Sequence, residues 1–132
     1  MAKSELYANT VLDDLFGSGS PATLYIELLT ALANPDGTGG TEVTGGSYAR
    51  AAVTNNNTNF PAASGGEKSN ANAITFATAS ADWGTIQGVR IRSASSGGGG
   101  DIYYHGALDT PRTVNNGDTF SFAATQLVIQ ES

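Results

Sequence analysis

Turn-forming residues interrupt this chain about every ten residues, and that spacing limits what it can fold into. Gly17-Ser18-Gly19-Ser20-Pro21, Asn34 to Gly40, Asn55 to Asn59 closed by Phe60-Pro61, Gly97 to Gly100 and Asn115 to Asp118 leave only short segments between them. Glycine supplies 17 of the 132 residues, close to double the usual share of about 7%. The segments between turns alternate or run apolar. Leu24 to Thr30, Tyr48 to Thr54, Ala73 to Phe76, Ile86 to Arg92, Asp101 to His105, Thr119 to Phe122 and Gln126 to Gln130 all read as strands; Leu28 to Ala33 suits a helix equally well. No βαβ rhythm, heptad run or internal repeat is present. The pattern predicts an all-β chain, an antiparallel β-sandwich of jelly-roll type with one short N-terminal helix. A length of 132 residues suits one domain, divided into an N-terminal helical arm at 1–20 and a β-sandwich domain at 21–132.

The helix is the clearest local prediction. Ser4 is placed to cap it, with Glu5 in the first turn. Ala8, Val11, Leu12, Leu15 and Phe16 fall on one face, and Gly17 sits where a helix hands over to a left-handed residue. About three turns are marginal alone, so the apolar face needs a surface, either its own domain or another chain. Val11, Leu12, Leu15 and Phe16 are therefore the candidate contacts to a partner or a second subunit, followed by the Gly97 to Gly100 loop.

Six basic against twelve acidic residues give a net charge of −6, with no footprint for nucleic acid or an anionic membrane. No apolar stretch approaches a membrane span, and Met1-Ala2-Lys3 leads into polar residues, unlike the apolar core of a secretory leader. Charged residues are 14% of the chain, against about 25% in typical soluble domains. A neutral, hydroxyl-rich surface suits a protein that lives among neighbours in an assembly.

The chemistry available is narrow. With no cysteine and a single histidine, thiolate sites and multi-histidine metal sites are excluded. No Gly-x-Ser-x-Gly elbow is present, no Lys-Ser/Thr follows the glycine run, and no calcium loop occurs. His105, between tyrosines and a glycine on a strand, reads as a surface or half-buried residue. Asp13-Asp14 reads as a solvated pair, and Asp36-Gly37 and Asn116-Gly117 as turn formers. Arg90 and Arg92, two apart on a strand, share a face and fit a carboxylate on a neighbouring strand or subunit. Trp83 is placed to anchor a turn through its N–H. No enzymatic activity and no cofactor are expected.

Several segments in their order resemble a family of small tailed-bacteriophage virion proteins, described as capsid decoration (cement) or tail-fibre-like proteins. They are Ala8-Asn9 with Leu12 and Leu15-Phe16; Leu24 to Thr30; Gly40-Thr41-Glu42 with Tyr48-Ala49-Arg50; Asn59 to Ala63; Asn72 to Ala79 with Trp83-Gly84-Thr85; and Gly117-Asp118 with Phe120. The Ser93 to Gly100 loop departs from the pattern. The resemblance implies a structural role without an active site. Its leading form is a decoration protein made in the host cytoplasm, placed on the outer capsid surface and bound to the major capsid protein. Such a protein stabilises the shell by binding only the assembled state, and closed symmetry makes a homotrimer its natural form. The alternatives are a fibre, spike or neck module, or a small carbohydrate-binding β-sandwich stacking sugars on Trp83, Tyr103 and Tyr104.

Overall fold

A computed structural model describes residues 1–131. One helix, α1 (Glu5–Leu15), precedes nine strands: β1 (Thr23–Ala31), β2 (Thr41–Glu42), β3 (Ala51–Thr54), β4 (Glu67–Ser69), β5 (Ile74–Thr75), β6 (Gly84–Arg92), β7 (Ile102–Val114), β8 (Ser121–Phe122) and β9 (Val128–Gln130). The described residues are thus all-β with a single short helix. One five-stranded sheet runs β2-β1-β6-β7, with β3 also pairing β1; β4-β9 and β5-β8 form two-stranded ladders. Every pairing for which a register is defined is antiparallel. These ladders do not assign a jelly-roll connection order.

The chain forms two compact units, crossing from one to the other four times. The first comprises residues 1–23, 53–74 and 122–131. Here α1 starts as its sequence predicts, with the Ser4 side chain accepting the Tyr7 N–H at 3.2 Å. It ends where Gly17 turns left-handed at φ 90°. Ala8, Leu12 and Phe16 are buried, one ridge at four-residue spacing, and the Phe16 ring packs 5.4 Å from that of Phe60. Polar clips complete the docking. Asp13 accepts from Lys68 Nζ at 2.6 Å and from the Ala63 N–H at 2.9 Å, Asn9 accepts from the Gly66 N–H at 2.8 Å, and Lys3 pairs with Glu131. Asp13 and Asp14 are both exposed, as a solvated pair would be, but Asp13 is also tied to Lys68, whose side chain is buried.

Two buried asparagines bind this unit from within. Asn55 accepts from the Gly17 N–H at 2.6 Å and donates to the Leu15 and Pro21 carbonyls at 2.8 and 3.0 Å, so it closes the C-terminal end of the helix. Carbonyls left over at a helix end need such partners. Asn70 donates to the Asn72 and Ala123 carbonyls and accepts from the Leu127 N–H.

The second unit comprises residues 24–52 and 75–121. Its centre is the pair of nine-residue strands β1 and β6, in register from Tyr25↔Arg92 to Leu29↔Gly88. Both faces of β6 are buried over Gly88–Arg92, which is why this strand shows less polar alternation than a half-exposed one. Strand β7 is the outer strand and is mostly exposed. Gly88 pairs with Ala107 but Ile86 with Arg112, so Leu108 to Pro111 bulge opposite Gln87 alone. A bulge carrying Asp109 and Pro111 blunts an edge that would otherwise invite another strand. Trp83 is buried and donates its indole N–H to the Gly46 carbonyl at 2.9 Å, anchoring a turn as expected.

Candidate functional site

The feature that organises the second unit is a buried carboxylate shared by three arginines. Glu27 interrupts the apolar run of β1, and its side chain is fully buried. Because cross-strand partners lie on the same side of a sheet, the register Glu27↔Arg90 puts that guanidinium directly beside it. Arg92, two residues on, reaches from the diagonal position. Arg90 Nε donates to Glu27 Oε1 at 2.5 Å and Arg92 Nε at 3.1 Å, while Arg50 Nη2 meets Oε2 at 3.2 Å. The expectation that Arg90 and Arg92 pair with a carboxylate on a neighbouring strand is met, and that carboxylate is Glu27. Arg50 also forks onto Glu42 with two 2.9 Å contacts, and Tyr48 donates its hydroxyl to Glu42 at 2.6 Å while accepting the Leu28 N–H at 3.0 Å.

The electrostatics follow from the partners. Burial alone would push the Glu27 carboxyl up, but the Arg90 and Arg92 hydrogen bonds with the Arg90 and Arg50 charges outweigh it and hold it below its ordinary value. Burial, then the Glu42 carboxylate, pushes the Tyr48 hydroxyl far up, so it stays a donor. Hydrogen bonding to Glu42 raises Arg50.

The remaining guanidinium donors bind loops. Arg90 Nη1 donates to the Gly37 and Gly39 carbonyls at 2.8 and 2.7 Å. Arg50 donates to Ala94 O at 2.9 Å and Gly97 O at 2.6 Å, and Arg92 reaches Gly98 O and Gly99 O at 3.3 and 3.4 Å. Residues 95–101 are exposed, and Gly97 to Gly100 carry no side chains that could pack. Their hold on the fold comes largely from their own carbonyls, through arginines, to Glu27. The cluster is a fixture that presents two glycine-rich loops at the surface.

Most basic side chains are buried or paired with carboxylates, and Arg112 is the exposed one. Arg50, Arg90 and Arg92 are buried around Glu27, Lys68 is buried on Asp13, Lys3 is paired with Glu131, and Arg112 lies 4.0 Å over the Phe120 ring. Glu5, Asp14, Asp36, Glu67, Asp82, Asp101, Asp109 and Asp118 are exposed. The surface is therefore more uniformly acidic than the composition suggests.

The candidate contact residues divide. Leu12 and Phe16 are fully buried and spend their side chains within the first unit, which removes them as docking side chains in this conformation. Val11 and Leu15 are half-buried at the margin of that packing. The large apolar side chains that the helix does expose are Leu6 at 80% and Tyr7 at 59%, neither of which periodicity singles out. Trp83 cannot be a stacking platform for a sugar, because its ring is buried; Tyr103 and Tyr104, adjacent on β7, point to opposite faces. His105 is exposed, with Nε2 3.1 Å from the Pro35 carbonyl oxygen.

Among the described residues no three His, Asp or Glu side chains gather as a metal-binding group, and no helix is long and apolar enough to cross a membrane. The buried polar side chains are saturated by one another and by loop carbonyls, an arrangement that fixes shape and that suits a structural or binding protein. The chain belongs to a tailed-phage virion structural family: over residues 2–130 it matches the family described as podophage GP4 fiber I protein gp80. No curated protein matches it. The virion resemblance is thereby established, and a fibre description accompanies it where the leading expectation was a capsid decoration protein.

Proposed function

We propose that the protein is a fibre-type component of a tailed-phage virion that works by binding alone, attaching the particle to a host surface or joining parts of the appendage. The observation that carries this reading is the match to a fibre protein family across residues 2–130. The fold supports it: exposed glycine loops are pinned from beneath by a buried ionic cluster, so a contact surface is held in one shape before a partner arrives. Pre-ordering of this kind lowers the cost of binding. In the same reading the working state is a homotrimer, a closed symmetry suited to the end-on assembly of a fibre.

Counting copies in purified virions by quantitative mass spectrometry, against the major capsid protein, tests the assignment. A few to a few dozen copies per particle are expected for an appendage. Hundreds of copies would place the chain on the shell as a decoration protein bound to the major capsid protein, and would overturn the fibre reading.

A further inference from the structure

We propose that the outward face of α1 docks onto another virion protein, into an apolar pocket with a basic group beside it. The proposal rests on the virion reading above.

The helix has two unlike sides. Ala8, Leu12 and Phe16 are buried. On the opposite side, Leu6, Tyr7, Thr10 and Asp14 are exposed, and at 100° per residue they form one patch. Its N-terminal half is apolar. Leu6 and Tyr7 are two of the most exposed large apolar side chains in the chain, at 80% and 59%, and Val11 extends the patch toward the buried ridge. Its C-terminal half is acidic. Asp14 is exposed there, no basic residue lies in the last turn, and the negative end of the helix dipole adds to the same sign. Leu6 and Asp14 are eight residues apart, about 12 Å along the axis.

That polarity selects the occupant. A second copy using this face fits in neither orientation. Antiparallel, Leu6 and Tyr7 of one helix would meet Asp14 of the other; parallel, Asp14 would meet Asp14. The rest of the chain offers this face little as a cation source, since five of the six basic side chains are buried or paired with acids; the sixth, Arg112, is exposed but is held over the Phe120 ring and on the Ser121 carbonyl. The complementary surface is one with a pocket for Leu6 and Tyr7 and a Lys or Arg roughly 12 Å away.

The test uses purified phage particles from which this protein has been deleted, with the full-length protein added back and its binding titrated. Leu6→Ser with Tyr7→Ser is expected to weaken binding about 100-fold, two anchors at roughly tenfold each. Asp14→Lys is expected to weaken it about tenfold. Raising salt from about 0.1 M to about 1 M, which cuts the Debye length from about 10 Å to about 3 Å, should weaken the wild type more than Asp14→Lys. All three substituted positions are exposed, so circular dichroism and thermal midpoints should stay at wild-type values, which separates lost docking from lost folding. If the wild type binds and both variants bind equally well, the helix proposal fails and the virion reading stands. If the wild type does not bind the deleted particles, both fail. If the wild type sediments as an oligomer that the Leu6→Ser, Tyr7→Ser variant dissociates, a second copy occupies the face and the proposal is overturned.

Discussion

The unit of residues 1–23, 53–74 and 122–131 fastens its helix and turns with two neutral amides, Asn55 and Asn70, whereas the unit of residues 24–52 and 75–121 is organised around one carboxylate shared by three guanidiniums. The two solutions respond to different insults. An amide peg holds the same hydrogen bonds at any ordinary pH. A buried ion cluster depends on every charge being present, because removing one partner leaves the others desolvated without compensation. It also ties surface loops to the core, so its failure reaches the exposed glycine segments directly.

Removing Glu27 should have the largest effect. Glu27→Ala leaves three buried guanidiniums without their common anion and is expected to cost about 3–5 kcal/mol, measured by urea unfolding. Glu27→Gln, which keeps the shape and loses the charge, should also destabilise strongly and raise hydrogen exchange in residues 93–101. A loss under 1 kcal/mol would mean that the cluster contributes little beyond what solvent could supply.

Acid probes the same contrast without mutation. The folded Glu27 carboxyl lies below its ordinary 4.5, so its stabilisation is complete above pH 4.5 and is lost as pH falls through the folded value. Asp13, held low by its hydrogen bonds from Lys68 and from the Ala63 N–H, contributes in the same direction but more weakly, being partly exposed. Acid titration, followed by residue-resolved hydrogen exchange, should therefore loosen residues 24–52 and 75–121 more than the rest of the chain, and Glu27→Gln should flatten the response.

The amide side of the comparison is smaller. Asn55→Ala strands the Gly17 N–H and the Leu15 and Pro21 carbonyls, and is expected to cost about 1–3 kcal/mol with no change in acid sensitivity. Smaller still, Ser4→Ala should remove about 1 kcal/mol by uncapping α1.

Much of this fold was legible where one residue pattern decides the outcome. Ser4, the Ala8-Leu12-Phe16 ridge and Gly17 mark α1 because cap, period and terminator are all local. Leu24 to Thr30 and Ile86 to Arg92 lie within β1 and β6. The strands missed were those with no apolar signal: β2 has two residues, and β4, Glu67-Lys68-Ser69, is polar throughout and exists because β9 pairs with it. β7 runs to Val114, nine residues past the expected end at His105, since β6 supplies pairing partners beyond the bulge that Pro111 marks. The paired arginines were visible as a face, and a lone carboxylate in Leu24-Tyr25-Ile26-Glu27-Leu28-Leu29 was the available sign of their partner. Choosing Glu27 required a register between strands 63 residues apart, which sequence spacing alone does not fix. Arg50 and Tyr48 join the cluster from the segment read as the start of a strand over Tyr48 to Thr54; the strand begins only at Ala51, and its alternation does not say which residue reaches Glu27. On the helix, the apolar face is legible, but periodicity does not say whether its own domain or another chain covers it, and it does not single out the exposed Leu6 and Tyr7.

The central claim is that this chain serves as an appendage component of the particle by binding alone. A cryo-electron reconstruction of the intact virion tests it most directly. The account predicts density for this chain on a fibre or at its attachment point, with the glycine loops or the Leu6-Tyr7 face against a neighbour. Density for it repeated across the outer shell at every capsid lattice site would contradict the account.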